Sequence, residues 1–139
     1  MADDEQMMER DVCKLVHRFA QRLDVHVRRV GENLGITASQ VVALRELSEP
    51  ITARELAVRM SCEPSNATFV LDRLEQQGLV ERRPHPSDRR AKMIVLTDAG
   101  EEFRATVVAR LDEASPLTAL EAGEQEKLRE LLRALVEAG

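Results

Sequence analysis

The chain has 139 residues, 43% of them hydrophobic and 32% charged, which suits one soluble globular domain and leaves no material for a second core. Its only aromatic side chains are Phe19, Phe69 and Phe103, so RNA and single-strand binders that stack bases on aromatic platforms are disfavoured. The net charge of −5 argues against nucleic acid only on average: residues 1–51 sum to −2, residues 52–97 to +2 and residues 98–139 to −5.

Other classes fall away on pattern. No apolar run approaches the roughly 18 residues needed to cross a bilayer. The opening "MADDEQMMERD" is acidic where a secretory leader is basic, so no membrane association and a cytoplasmic location are predicted. Cys13 and Cys62 have neither CxxC nor zinc-site spacing and read as free thiols in a reducing compartment. Cys13 and His17 are spaced i, i+4, but two ligands are not a site, and His26 faces elsewhere along the same segment; no metal and no cofactor are expected. With no nucleophile–base pair, phosphate loop or metal motif, no enzyme is expected.

In chain order, residues 5–33 read as one long helix. Val12, Leu15, Val16, Phe19, Leu23, Val27 and Val30 recur at spacings of three and four, and Gly31 and Gly35 end it. A second helix opens at "ITASQVVALREL", where Thr37 caps, Gln40 closes a capping box and Ile36 staples onto Val41. "ITARELAVRM" repeats the device with Thr52, Glu55 and the pair Ile51 and Leu56, after the breaker "SEP". Past the link "SCE", Pro64 starts a fourth helix that runs to Gln77 and stops at Gly78. Its buried face is Ala67, Val70, Leu71 and Leu74, and its outer face carries Ser65, Asn66, Thr68, Phe69, Asp72, Arg73 and Gln76.

Two short helices joined by a tight link, the second with a polar outer face, match the plan of a helix-turn-helix. "LVERRP" and "KMIVLT" follow as two runs of strand character around the reversal "HPSDRRA", a β-hairpin. Between residues 81 and 92 this hairpin gathers Arg82, Arg83, Arg89, Arg90 and Lys92 against Glu81 and Asp88. A helix with a hydrogen-bonding face followed by a cationic hairpin is a winged helix-turn-helix: the helix fits the major groove, and arginines of the wing suit the narrow minor groove beside it.

After the wing, Thr97 caps a fifth helix beginning "DAGEEF", with Phe103, Val107, Val108 and Leu111, broken at Ser115-Pro116. From about Leu120 a last amphipathic segment carries Leu128, Leu131, Leu132, Leu135 and Val136. The terminal stripes exceed what a small winged helix can cover, so a two-fold homodimer is expected, which would also present two recognition helices about one helical turn apart. The predicted fold is mainly α with a small β-hairpin wing. Residues 1–36 and 98–139 form dimerisation helices and residues 37–97 the DNA-binding region, all within one compact domain.

With these pieces in place the sequence resembles, over nearly its whole length, the multiple-antibiotic-resistance regulator (MarR) family of winged-helix transcription factors. The most specific match is "DRRAKMIVLT", which fits the family's wing signature of D-x-R, five residues, then Leu-Thr at Asp88, Arg90, Leu96 and Thr97. "LDRLEQQGLVERRPHPSDRR" resembles the end of the recognition helix and the wing, and "LEAGEQEKLRELL" the closing dimer helix. The resemblance implies a homodimer on a palindromic double-stranded operator, usually a repressor, released by a small phenolic or other aromatic effector or by oxidation.

Residue by residue, the resemblance gives recognition-helix roles to Ser65, Asn66, Thr68 and Arg73 and the wing tip to Arg90 with Arg89, while Asp88 orients an arginine by a charge-assisted hydrogen bond. At Phe69, where relatives carry a cation, the ring either meets a thymine methyl or tucks against the wing. Cys13 lies near the reactive cysteine of the hydroperoxide-sensing branch, but the tyrosines that activate that thiol have no counterpart here, so it reads as a packed structural residue rather than a redox sensor. The alternatives kept open are a thiol-based regulator using Cys13 and a helical dimerisation or adaptor module that has lost its operator.

Overall fold

A computed structural model describes residues 2–139. Six α-helices and three short strands follow one another as α1 (Ala2–Leu34), α2 (Ala38–Glu46), β1 (Ile51–Thr52), α3 (Ala53–Met60), α4 (Pro64–Gln76), β2 (Val80–Pro84), β3 (Lys92–Leu96), α5 (Asp98–Asp112), a 3-10 turn (Pro116–Ala119) and α6 (Ala122–Glu137). The strands form an antiparallel sheet ordered β1-β3-β2, with Ile51 opposite Ile94 and Val80 opposite Leu96.

The helix signals act as their chemistry dictates. Thr37 Oγ1 accepts the Gln40 N–H at 3.2 Å while Gln40 Oε1 accepts the Thr37 N–H at 2.9 Å, a complete capping box. At Thr52 the device is only half formed. The Glu55 N–H donates to Thr52 Oγ1, but the Glu55 carboxylate takes the Thr52 hydroxyl rather than its backbone N–H. Thr52 is itself a strand residue opposite Met93, so this helix begins at the sheet edge.

The first helix runs past Gly31, which lies buried inside it, and ends only at Gly35. Ser61 takes the left-handed conformation, φ 54°, in the turn between α3 and α4. Gly78 does the same after α4 at φ 74°, with the Leu79 N–H bonded to Leu74 O and the Gly78 N–H to Glu75 O. That turn swings the chain directly from the end of α4 into β2.

The core sits in the middle of the chain. Val41, Leu44, Leu56, Leu71, Leu74, Ile94 and Val107 are fully buried, with Val30, Leu47, Ile51, Val70 and Val80 around them. Phe103 and Leu111 of α5 and Val27 and Leu34 of α1 pack on its margin. Polar clamps fasten the outer helices to this core: the Arg104 guanidinium donates to Leu44 O and Arg45 O at the end of α2, and His26 Nε2 donates to Leu111 O at 2.7 Å.

At the base of the wing a single threonine holds three elements. Its hydroxyl donates to Gly78 O at 2.7 Å and accepts the Gly100 N–H at 3.0 Å, while the Thr97 N–H bonds Leu79 O at 3.1 Å. The approach is so close that a Cβ on Gly100 would stand 1.9 Å from Leu79 O. Gly100→Ala is therefore expected to destabilise the protein by about 1–3 kcal/mol, the cost of forcing backbone apart in a packed region. Urea denaturation measures it, and a variant as stable as the parent would show that α5 does not press on this turn.

Candidate nucleic-acid interface

The fourth helix presents Ser65, Asn66, Thr68, Phe69 and Arg73 to solvent, while Ala67, Leu71 and Leu74 lock its other side into the core. Thr68 Oγ1 donates back to Pro64 O, leaving its lone pairs outward. Phe69 is 66% exposed, so of its two expected placements the tuck against the wing does not hold in this chain. An exposed ring among hydrogen-bonding side chains is a surface ready to meet an apolar group such as a base methyl.

The hairpin stands beside that helix. Arg82 of β2 reaches back to α4, donating from Nη1 to Glu75 at 2.7 Å and from Nη2 to Asp72 at 2.8 Å. These charge-assisted bonds are short and forked, the geometry in which Arg acts as a rigid brace. Arg83 pairs with Glu81 on its own strand, both side chains more than half exposed. Two of the five hairpin cations are thus engaged within the protein; the tip presents Arg89 and Arg90, and Lys92 begins β3. Among the described residues, Arg73, Arg89 and Arg90 have no acidic partner.

Asp88 holds Arg90 in a way the sequence did not suggest. Its Oδ1 accepts the Arg90 backbone N–H at 3.0 Å, so it shapes the main chain of the tip instead of gripping a guanidinium. Behind the interface, Arg59 of α3 donates to Glu46 O and to the Glu49 carboxylate, which raises its pKa above the ordinary arginine range and pins the turn after α2. Gln40, buried at 3% exposure, also donates from Nε2 to Gln77 Oε1 at the end of α4. Sequence reasoning credited Gln40 with its cap alone, and missed the Arg82 brace. Acids spaced i, i+3 on one helix face, followed by an arginine just past the glycine turn, are the signal that could have revealed the brace.

The cysteines fall elsewhere. Within the single chain Cys13 is exposed on α1 and not packed as expected, since no other part of the same chain folds against its stretch of the apolar stripe. Cys62 is half-buried in the α3–α4 turn. Among the described residues no three His, Cys, Asp or Glu side chains gather as a metal site, and no helix is long and apolar enough to cross a membrane.

A helix-turn-helix with its second helix braced to a cationic hairpin defines the winged helix-turn-helix class of proteins. The sequence model of the MarR family matches residues 36–92, from the end of α1 to the first residue of β3. The HTH-type transcriptional repressor MdtR of Bacillus subtilis (strain 168) is 31% identical over 113 residues, covering 79% of this chain and 72% of that protein. Solved structures share the fold, among them the following two. CouR from Rhodococcus jostii RHA1 bound to p-coumaroyl-CoA has a TM-score of 0.81 at 26% identity, over 93% of this chain and 94% of that one. A mutant of MarR from E. coli complexed with operator DNA has a TM-score of 0.73 at 28% identity, over 90% and 93%. The chain belongs to the MarR family of transcriptional regulators.

Replacing Arg82 with Met keeps the stem and removes the fork. The expected loss is about 1 kcal/mol in a salt-sensitive manner, against nearly none for Arg83→Met, because partly exposed forked pairs stabilise only modestly and single exposed pairs hardly at all. Denaturation at low and high salt compares them; equal losses would mean that Arg82 braces nothing.

Proposed function

We propose that this protein regulates transcription by binding a two-fold symmetric operator as a homodimer, with α4 in the major groove and the wing in the minor groove beside it. The observation that carries the reading is the pairing of an outward polar helix face with free arginines on a hairpin that Arg82 and Thr97 tie to the same helix. In this arrangement Ser65, Asn66, Thr68 and Arg73 meet base edges and phosphates, Phe69 a thymine methyl, and Arg89 and Arg90 the minor groove. The chain's net negative charge does not oppose this, since residues 52–97, which carry the helix and the wing, sum to +2 while residues 98–139 sum to −5.

Dimerisation rests on unpartnered apolar surface. Val12, Leu15 and Val16 of α1 and Leu131, Leu135 and Val136 of α6 are each more than two-fifths exposed in the single chain, apolar surface that a second copy would cover. The adaptor alternative would leave the free wing arginines without a purpose. Regulation by an effector follows the relative bound to p-coumaroyl-CoA. Here the junction of the outer helices with the winged region offers a shallow, open groove in which Leu34, Ile36, Leu79 and Phe103 would face an aromatic ring and Gln77, Glu102 and Thr106 its polar groups. A ligand there releases DNA only to the extent that it binds the non-DNA spacing of the two recognition helices better.

Selection from random duplex DNA should enrich an inverted repeat; enrichment of nothing would leave the adaptor reading. On that repeat, Arg90→Ala should weaken binding by about 1–3 kcal/mol and shallow the salt dependence by about one unit of slope, as expected for a lost groove contact. Unchanged affinity would remove the wing from the mechanism. Phenolic acids should raise the protein's melting temperature and displace the duplex, and a series without either effect would leave a constitutive binder.

A further inference from the structure

The turn that presents Arg89 and Arg90 is built on an imidazole. His85 follows β2 directly, and its Nδ1 accepts the backbone N–H groups of Ser87 at 3.1 Å and Asp88 at 3.0 Å. Asp88 in turn accepts the Arg90 N–H, and the strands close behind with the His85 N–H on Ala91 O and the Ala91 N–H on Asp88 O. The relay therefore has two steps: His85 accepts from the Asp88 backbone, and Asp88 accepts from the Arg90 backbone.

We infer that His85 is a positioning residue for DNA binding: its unprotonated Nδ1 shapes the wing tip so that Arg89 and Arg90 point away from the hairpin. The inference rests on the DNA-binding reading above. An imidazole can accept at Nδ1 only while that nitrogen carries no proton; the doubly protonated ring is a donor at both nitrogens and must release both N–H groups. Histidine is also the side chain whose ordinary protonation falls within pH 5 to 8. A proton on Nδ1 would therefore undo the turn.

The other charged residues of the hairpin are Glu81, Arg82 and Arg83 on β2, Asp88, Arg89 and Arg90 in the loop and Lys92 on β3. On the packed helices, Asp72 and Glu75 of α4 are engaged by Arg82, and Glu55 and Arg59 of α3 by Thr52 and Glu49. The helix α5, with Asp98 and Glu101, joins at the opposite end of the hairpin. A protonated His85 would add a cation near phosphates, an effect opposite in sign to loss of the turn, and a variant that accepts without titrating separates the two. Asparagine is that variant, since its Oδ1 can take the same two N–H groups in an Asx turn.

The test compares the full-length protein with His85→Asn and His85→Ala on the selected inverted repeat and on a mixed-sequence duplex, at about pH 8 and about pH 5.5, within histidine's titration range. At the higher pH, His85→Asn should bind like the parent and His85→Ala about tenfold more weakly, the scale of a lost groove contact. At the lower pH the parent should lose affinity relative to His85→Asn and approach His85→Ala. Parent-like binding by His85→Ala, or identical pH profiles for parent and His85→Asn, would overturn the inference. Independently of DNA, the Ser87 and Asp88 amide resonances of the free protein should move together with the His85 ring as it titrates. Amides that ignore the ring would overturn the inference whatever the binding data show. Coupled amides in a protein that binds neither duplex would instead overturn the DNA-binding reading, and the positioning role with it.

Discussion

The structure depends on the contact of Thr97 with the turn at Gly78 and Leu79. A hydroxyl that donates to one backbone carbonyl and accepts one backbone N–H, in a gap with no room for a Cβ at Gly100, holds the end of α4, the end of the wing and the start of α5 in one register. If this junction slipped, the hairpin would pivot relative to the recognition helix, and their spacing could no longer match adjacent grooves. Arg82 adds a second, electrostatic brace further out along β2. The two contacts have different strengths by nature, since one is a partly buried packing constraint and the other a partly exposed ion pair.

The same junction links the winged region to the outer helices. Because α5 starts at Thr97 and is tied through Arg104 to the end of α2 and through Leu111 to His26 of α1, a shift of the outer helices reaches the winged region through directed hydrogen bonds. Rigid elements joined at few points move as levers, which is the mechanical requirement for an effector on one side to alter helix spacing on the other.

Much of this was legible in the residues because local signals and global fold agree. Thr37, Thr52 and Thr97 each precede a helix and each caps one, Gly78 stops α4, and the hairpin forms where strand-like runs flank "HPSDRRA". What escaped is non-local or too short to have a period. The strand Ile51–Thr52 has two residues and doubles as a helix start, so it reads as a cap. The Arg82 brace spans 7 and 10 residues around a turn, and the Gln40–Gln77 bond spans 37. Gly31 reads as a breaker, yet it stays in the helix because its bare Cα lets Ile36 O pass close by. At the candidate site the residue types were visible, whereas the roles of Asp88 and His85 were not, because both act on backbone N–H groups that carry no sequence signature.

The central claim is that one braced unit of helix and wing reads two adjacent grooves, and that symmetry doubles it. Dimethyl sulfate interference on the bound inverted repeat tests this directly, since the reagent marks guanine N7 in the major groove and adenine N3 in the minor groove. Two symmetric patches of major-groove interference are expected, each flanked by minor-groove interference that disappears in Arg90→Ala. Interference confined to the major groove in the parent protein, or present on one half-site alone, would contradict it.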